Sequence, residues 1–224
     1  MIRAIFFDFD GTLSNRQMNA YMIFHDYFRK YVPDLSDMEY EAMLQDMLTV
    51  DCNGTIPVTY RLAPFFAKYK NIFPQDFEEK FTTYFYDYMW KYTVLKQETI
   101  EVLEKLQGKY KLAIISNGDS KSQHSKITHV DIEKYFDEVI VSGDIGIHKP
   151  DKRIFEYMMN KLDVRPEECL MIGDVFSNDI LGAYNAGIKP VWIIADTERP
   201  SRYYDGYRIE NLRQLFDILD KENA

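Results

Sequence analysis

The 224-residue chain is poor in cysteine, in positive charge and in long apolar runs. Its two cysteines, Cys52 and Cys169, cannot form a disulfide framework. Cys169 lies in the apolar run Cys169-Leu170-Met171-Ile172 and reads as a buried free thiol, so a reducing cytoplasm fits. No apolar stretch approaches the roughly 20 residues that cross a bilayer. The first residues lack a signal-peptide layout, because Arg3 is soon followed by Asp8 and Asp10. Lys and Arg total 27 against 36 Asp and Glu, a formal net charge of -9. That balance argues against nucleic-acid backbones and anionic membranes as partners. An anionic small molecule stays open, since one metal ion and one lysine can invert the field locally. No repeat or low-complexity tract is present. The length and the ordinary share of hydrophobic residues allow one α/β core with a smaller inserted domain.

Short apolar runs recur, each ending at polar or glycine residues. Ala4–Phe7 stops at Asp8, 112–115 at Ser116-Asn117-Gly118, 139–141 at Ser142-Gly143-Asp144, 170–172 at Gly173-Asp174, and 191–194 at Ala195-Asp196. They read as buried parallel strands. Helical patterns lie between them at 98–106, 151–162 and 179–185, with Gly108 and Gly187 as stops. The alternation predicts a doubly wound, Rossmann-like parallel sheet, whose ligands bind beyond the carboxyl ends of the strands. The stretch 16–95 differs. It holds no convincing strand and more than half of the aromatics. Four stripes at helical spacing run through it: Tyr21/Phe24/Tyr27/Phe28/Tyr31, Tyr40/Met43/Leu44/Met47, Leu62/Phe65/Phe66/Tyr69 and Phe77/Phe81/Tyr84/Phe85/Tyr88. Pro33, Asn53-Gly54, Pro57 and Pro74 punctuate the gaps. The expected organisation is a catalytic core of residues 1–15 and 96–224 with an inserted four-helix cap domain over 16–95. Most of the aromatics should be the core of that cap.

The strongest chemical signal is Asp8-Phe9-Asp10-Gly11-Thr12-Leu13. Two carboxylates two residues apart at a strand end leave on the same side. As buried like charges they repel, and a divalent cation removes the penalty. Gly11 lets the chain turn sharply and lets a ligand approach the backbone. Taken alone, the string also fits a loop of capping carboxylates, and Ser116 fits a turn residue after a strand.

This hexapeptide resembles motif I of the haloacid dehalogenase superfamily. Ile115-Ser116-Asn117-Gly118 is similar to motif II, His148-Lys149-Pro150-Asp151 to motif III, and Gly173-Asp174-Val175-Phe176-Ser177-Asn178-Asp179 to the GDxxxxD form of motif IV. The four occur in family order and cover most of the chain outside the insert, whose position is similar to that of a type 1 helical cap. The run 179–187 is similar to the branch of pyrimidine-nucleotide and phosphoglycolate phosphatases.

The resemblance implies a Mg²⁺-dependent hydrolase of a small-molecule phosphate monoester, a nucleoside monophosphate being one class it admits, acting as a monomer or homodimer. It implies Asp8 as nucleophile, through an aspartyl-phosphate, and Asp10 as acid–base. Asp8, the main-chain carbonyl of Asp10 and Asp174 are the implied metal ligands. Ser116, the amide of Asn117 and Lys149 are the implied phosphate-binding groups. Asp179 would orient Lys149 or water on the metal, or cap its helix. His25, His124 and His129 read as surface or packing residues, His148 as a neighbour of the site, and 198–204 as a surface loop. A few cap residues (Tyr21, Phe24, Asp46 or Trp90) could face the core and stack on a substrate. The same motifs suit a phosphomutase, which would shield the intermediate from water, and a non-catalytic module could keep the fold. A dehalogenase fits poorly, since that branch lacks an acid at the position of Asp10.

Overall fold

A computed structural model describes residues 1–51, 54, 56, 58–194 and 201–224, with the side chains of Thr59 and Arg61 left aside. Cys52, Asn53, Pro57, Ala195-Asp196 and 198–200, singled out above, lie outside the described residues. The chain folds as two compact units, Met1–Ser14 with Leu95–Ala224, and Asn15–Val94.

The larger unit is built on a parallel sheet. Its strands are β1 (Ala4–Phe7), β2 (Lys111–Ser116), β3 (Glu138–Val141), β4 (Cys169–Gly173), β5 (Lys189–Ile193) and β6 (Tyr207–Ile209). They are ordered β3-β2-β1-β4-β5-β6. β1 is central, with Phe7 beside Ile114 of β2 and Ile172 of β4. The chain winds outward from β1 in both directions, so the connections leaving β1 and β4 diverge and open a crevice at their carboxyl ends. All four β1 residues are buried because the pleat sends neighbours to opposite faces. Ile5 and Phe7 join Leu112, Ile114, Leu170 and Ile172 in one core, which helices α6 (Thr99–Leu106) and α11 (Leu215–Asn223) cover. Ala4 and Phe6 join Ala113, Ile115 and Met171 in another, covered by α9 (Lys152–Leu162) and α10 (Leu181–Asn185). Cys169 is a buried free thiol, and burial pushes its pKa up to about 12.

Three elements differ from the sequence pattern. The polar stretch after Gly118 is a helix, α7 (Ser120–His129), because the Asp119 side chain accepts from Ser122 N at 2.9 Å. The helix expected to begin at Asp179 begins at Leu181, after a π turn at Phe176–Ile180. β6 is a three-residue edge strand, too short to show a period.

The smaller unit is helical: α1 (Arg16–Phe28), α2 (Asp37–Asp51), α3 (Val58–Arg61), α4 (Ala63–Lys68), α5 (Phe77–Tyr88) and a 3₁₀ turn (Met89–Tyr92). The third apolar stripe is therefore two short helices. Pro64 sits in the first turn of α4, where its missing N–H costs least, and it cannot continue α3. The core is aromatic: Phe28 lies 5.5 Å from Phe65, 5.3 Å from Phe77 and 5.0 Å from Phe81, centroid to centroid. Phe24 is fully buried in it and cannot stack on a substrate. Tyr21 donates to Glu41 at 2.7 Å, Trp90 to the Asp87 carbonyl at 3.0 Å, and Asp46 is held by Lys68 and Tyr69. Among the described residues no helix is long and apolar enough to cross a membrane.

Candidate active site

Motifs I, II and IV end strands and motif III follows a short helix, α8 (Ser142–Ile145); the four meet at the crevice beside β1. Lys149 Nζ donates to Asp8 Oδ1 at 2.7 Å, to Asp179 Oδ1 at 2.6 Å and to the Ile115 carbonyl at 2.7 Å. These use all three of its N–H groups. Its main chain is fixed as well: Lys149 N donates to Asn117 Oδ1 at 2.8 Å, and Asn117 Nδ2 returns a bond to the Lys149 carbonyl at 2.9 Å. Motif II thus carries motif III on a two-bond clamp.

Asp8, Asp174 and Asp179 each present an oxygen, and the three lie within 4.8 Å of one another. All three residues are buried. Burial first, then the Asp179 and Asp174 carboxylates, push Asp8 well above the ordinary carboxylate range against the pull of Lys149. Burial and the Asp179 carboxylate likewise push Asp174 up to about 7, with Lys96 and Lys149 pulling it down. Burial disfavours charge on Lys149, yet the Asp179 and Asp8 carboxylates overcome it and hold its pKa above the usual value. Three clustered carboxylates thus face one buried ammonium. A divalent cation with hard oxygen preference would balance that donor set, so the residues fit such an ion.

Backbone and side chains shape this cluster closely. The Thr12 hydroxyl lies 3.4 Å from Asp174 Oδ1, and Trp192 Nε1 donates to the Asp174 carbonyl at 3.0 Å. Asp179 Oδ2 accepts from Val175 N at 2.9 Å, so one carboxylate both closes the turn after β4 and holds Lys149. Gly11 has φ +87°, and a Cβ there would stand 2.5 Å from Asp174 Oδ2. Gly11→Ala is therefore expected to destabilise the protein by about 1–3 kcal/mol, through overpacking and a positive φ. Denaturant titration checks this, and an unchanged midpoint would contradict the close approach.

Asp10 stands apart from the trio. Its Oδ2 accepts from Lys126 Nζ at 2.7 Å and from Gln123 Nε2 at 2.9 Å. Gln123 Nε2 also lies 2.9 Å from Ser116 Oγ and 3.0 Å from the Asn117 carbonyl. Gln123 and Lys126 are not legible as site residues, because the buried face of α7 is largely polar and carries no apolar period. The available signal was their spacing of three, which stacks them on one face of any helix following Gly118. The histidines lie outside this set: His124 pairs with Asp144 at 3.0 Å, His25 with Asp26 at 3.2 Å, and His148 is exposed.

A doubly wound sheet with aspartates and two buried lysines gathered at its central strand ends is suited to a charged ligand. Residues 5–193 match the haloacid dehalogenase-like hydrolase family, and the chain belongs to that family. It is 29% identical to a glyceraldehyde 3-phosphate phosphatase of Pyrococcus furiosus, across 100% of this chain and 95% of the relative. It is 32% identical to a pyrimidine 5'-nucleotidase of Escherichia coli, across 54% of this chain and 55% of that enzyme, about half of each. In fold it is similar to the magnesium-bound hydrolase YfnB of Bacillus subtilis, with a TM-score of 0.80 at 23% identity, covering 98% of this chain and 99% of that one.

Proposed function

We propose that the chain is a Mg²⁺-dependent phosphatase that hydrolyses a small-molecule phosphate monoester through a phosphorylated Asp8. The observation that carries this reading is the pairing of Asp8 with the fully committed Lys149, beside two further buried carboxylates. Asp8, Asp174 and the main-chain carbonyl of Asp10 would hold the Mg²⁺. When bound, the ion offsets the repulsion between the Asp8 carboxylate and a phosphate.

In the first step an Asp8 oxygen attacks phosphorus and the ester P–O bond breaks. Asp10 delivers a proton to the departing alkoxide. In the second, Asp10 takes a proton from the water that cleaves the acyl phosphate, which frees inorganic phosphate and restores Asp8. The Ser116 hydroxyl and the Asn117 amide hold phosphoryl oxygens, while Lys149 supplies compensating charge. Asp179 keeps Lys149 aimed at Asp8.

A phosphate-release screen tests the reading, with nucleoside monophosphates, triose and sugar phosphates and short phosphoacids, each with and without Mg²⁺. Steady, Mg²⁺-dependent release from at least one class is expected. A phosphorylated protein that passed its group only to a second sugar hydroxyl would be a mutase, and silence across the panel would point to a non-catalytic module.

The raised carboxyls predict a pH-dependent metal effect. Between about pH 4 and 7 the folded protein keeps a proton on Asp174 that the unfolded chain has lost, so metal-free stability falls as pH rises through that window. Mg²⁺ competes with that proton, and ligand binding stabilises only the folded state. The rise in thermal midpoint on adding Mg²⁺ is therefore expected to be larger at pH 8 than at pH 5. Equal rises would place the ion elsewhere.

A further inference from the structure

We infer that Gln123 and Lys126 are positioning residues for the acid–base step: together they clamp one oxygen of Asp10 and tie it to the turn that carries Ser116. The inference rests on the proposed role of Asp10. Both side chains come from α7 and lie three residues apart, so they leave the same face. Both are buried, and both end on Asp10 Oδ2, at 2.9 and 2.7 Å.

The orientation of the Gln123 amide follows from its neighbours. Its terminal group faces Asp10 Oδ2, which already accepts from Lys126, and the Asn117 carbonyl, so the NH₂ points there. The Oε1 that results is buried with no hydrogen-bond partner among the described residues. A buried amide with one satisfied end and one unsatisfied end is costly, by the desolvation of a polar group. A residue chosen only to fill space on α7 would avoid that cost, whereas one that must donate to Asp10 would bear it. Lys126 is similarly placed: its long side chain is buried with its ammonium against Asp10.

Gly118 makes this arrangement possible. A Cβ at Gly118 would stand 2.7 Å from Gln123 Cγ. The glycine that ends motif II thus clears the path by which Gln123 crosses from α7 to Asp10. The consequence is mechanical. Ser116 and Asn117, assigned to hold the phosphoryl group, and Asp10, assigned to serve the leaving oxygen, share one donor, Gln123 Nε2. The clamp sets the distance between the two halves of the site without touching substrate.

A general acid matters most when the leaving group is a poor one. The test compares kcat/KM for an alkyl phosphate with kcat/KM for p-nitrophenyl phosphate, whose leaving group needs no proton. That constant reports the step in which the ester bond breaks. For Lys126→Met, kcat/KM is expected to fall by about 10- to 100-fold on the alkyl ester and by less than about 3-fold on the aryl ester; for Gln123→Ala, which also frees Ser116 and Asn117, both fall, the alkyl ester by about 10-fold more than the aryl. Lys126→Arg, which keeps a donor, is expected to recover most of the alkyl activity. Asp10→Asn is the reference and should show the same selectivity more strongly. If Asp10→Asn is selective and the clamp variants lower both esters equally or neither, the positioning role is overturned while the role of Asp10 stands. If Asp10→Asn is not selective, the acid–base assignment fails and the inference fails with it. Should Lys126→Met not fold, the milder Gln123→Asn, read by the same ratio, decides the matter.

Discussion

Asp8→Asn is expected to cut phosphate release by roughly 10⁴-fold or more, the scale seen when a nucleophile is removed. Asparagine has nearly the same shape, and its side-chain oxygen can still accept from Lys149, so the fold should survive. What is lost is the atom that bonds to phosphorus. Two readouts separate this from a general disturbance. Wild-type protein quenched in acid during turnover should carry a phosphoryl group that hydroxylamine removes, as an acyl phosphate requires, and the variant should carry none. Circular dichroism of the two should coincide. A variant retaining more than about a hundredth of the wild-type rate would remove Asp8 from the role of nucleophile.

Lys149→Met should have the largest effect on stability. The side chain is only 2% exposed and is the shared partner of Asp8 and Asp179. Methionine fills most of its volume, one heavy atom short, but leaves two buried carboxylates without that counter-charge. Breaking a buried pair by removing one partner costs about 3–5 kcal/mol. The loss should appear as a lower denaturant midpoint in Mg²⁺-free buffer and shrink when Mg²⁺ is added, since the cation would then be the remaining compensation. Turnover should fall as well, because Asp8 would lose the group that orients it. A midpoint equal to that of the wild type would contradict the burial and pairing of Lys149.

Lys149 is legible only through the resemblance of His148-Lys149-Pro150-Asp151 to motif III, whereas Asp8 is visible in the sequence for a local reason. A buried parallel strand is a short apolar run, and it ends where the chain turns to solvent or ligand. Asp8, Ser116 and Asp174 each sit directly after such a run, so their place at one edge of the sheet could be read without coordinates. Which helices cover each face of β1 is not legible in that way: the pleat puts Phe6 and Phe7 on opposite faces, but all four residues are apolar, so nothing marks one face from the other. α7 is hidden in the sequence for the opposite reason. Its buried face is made by Gln123 and Lys126 as well as Ile127, so it carries no apolar period. The polar residues that hid the helix are those that reach Asp10. In the helical unit the aromatic stripes marked the helices, and the division of the third at Pro64 could have been anticipated from proline alone.

The central place of β1 has a consequence for synthesis. β1 ends at Phe7, but its two neighbours are not complete until Ser116 and Gly173 have been made. At ribosomal speeds of about 5–20 residues per second, a strand with four apolar residues waits on the order of 10–30 s for its second partner. During that delay residues 15–94, which have a core of their own in the folded chain, are made in full while most of the larger unit is still untranslated. The nascent chain thus holds an apolar first strand without its sheet for the whole of that interval.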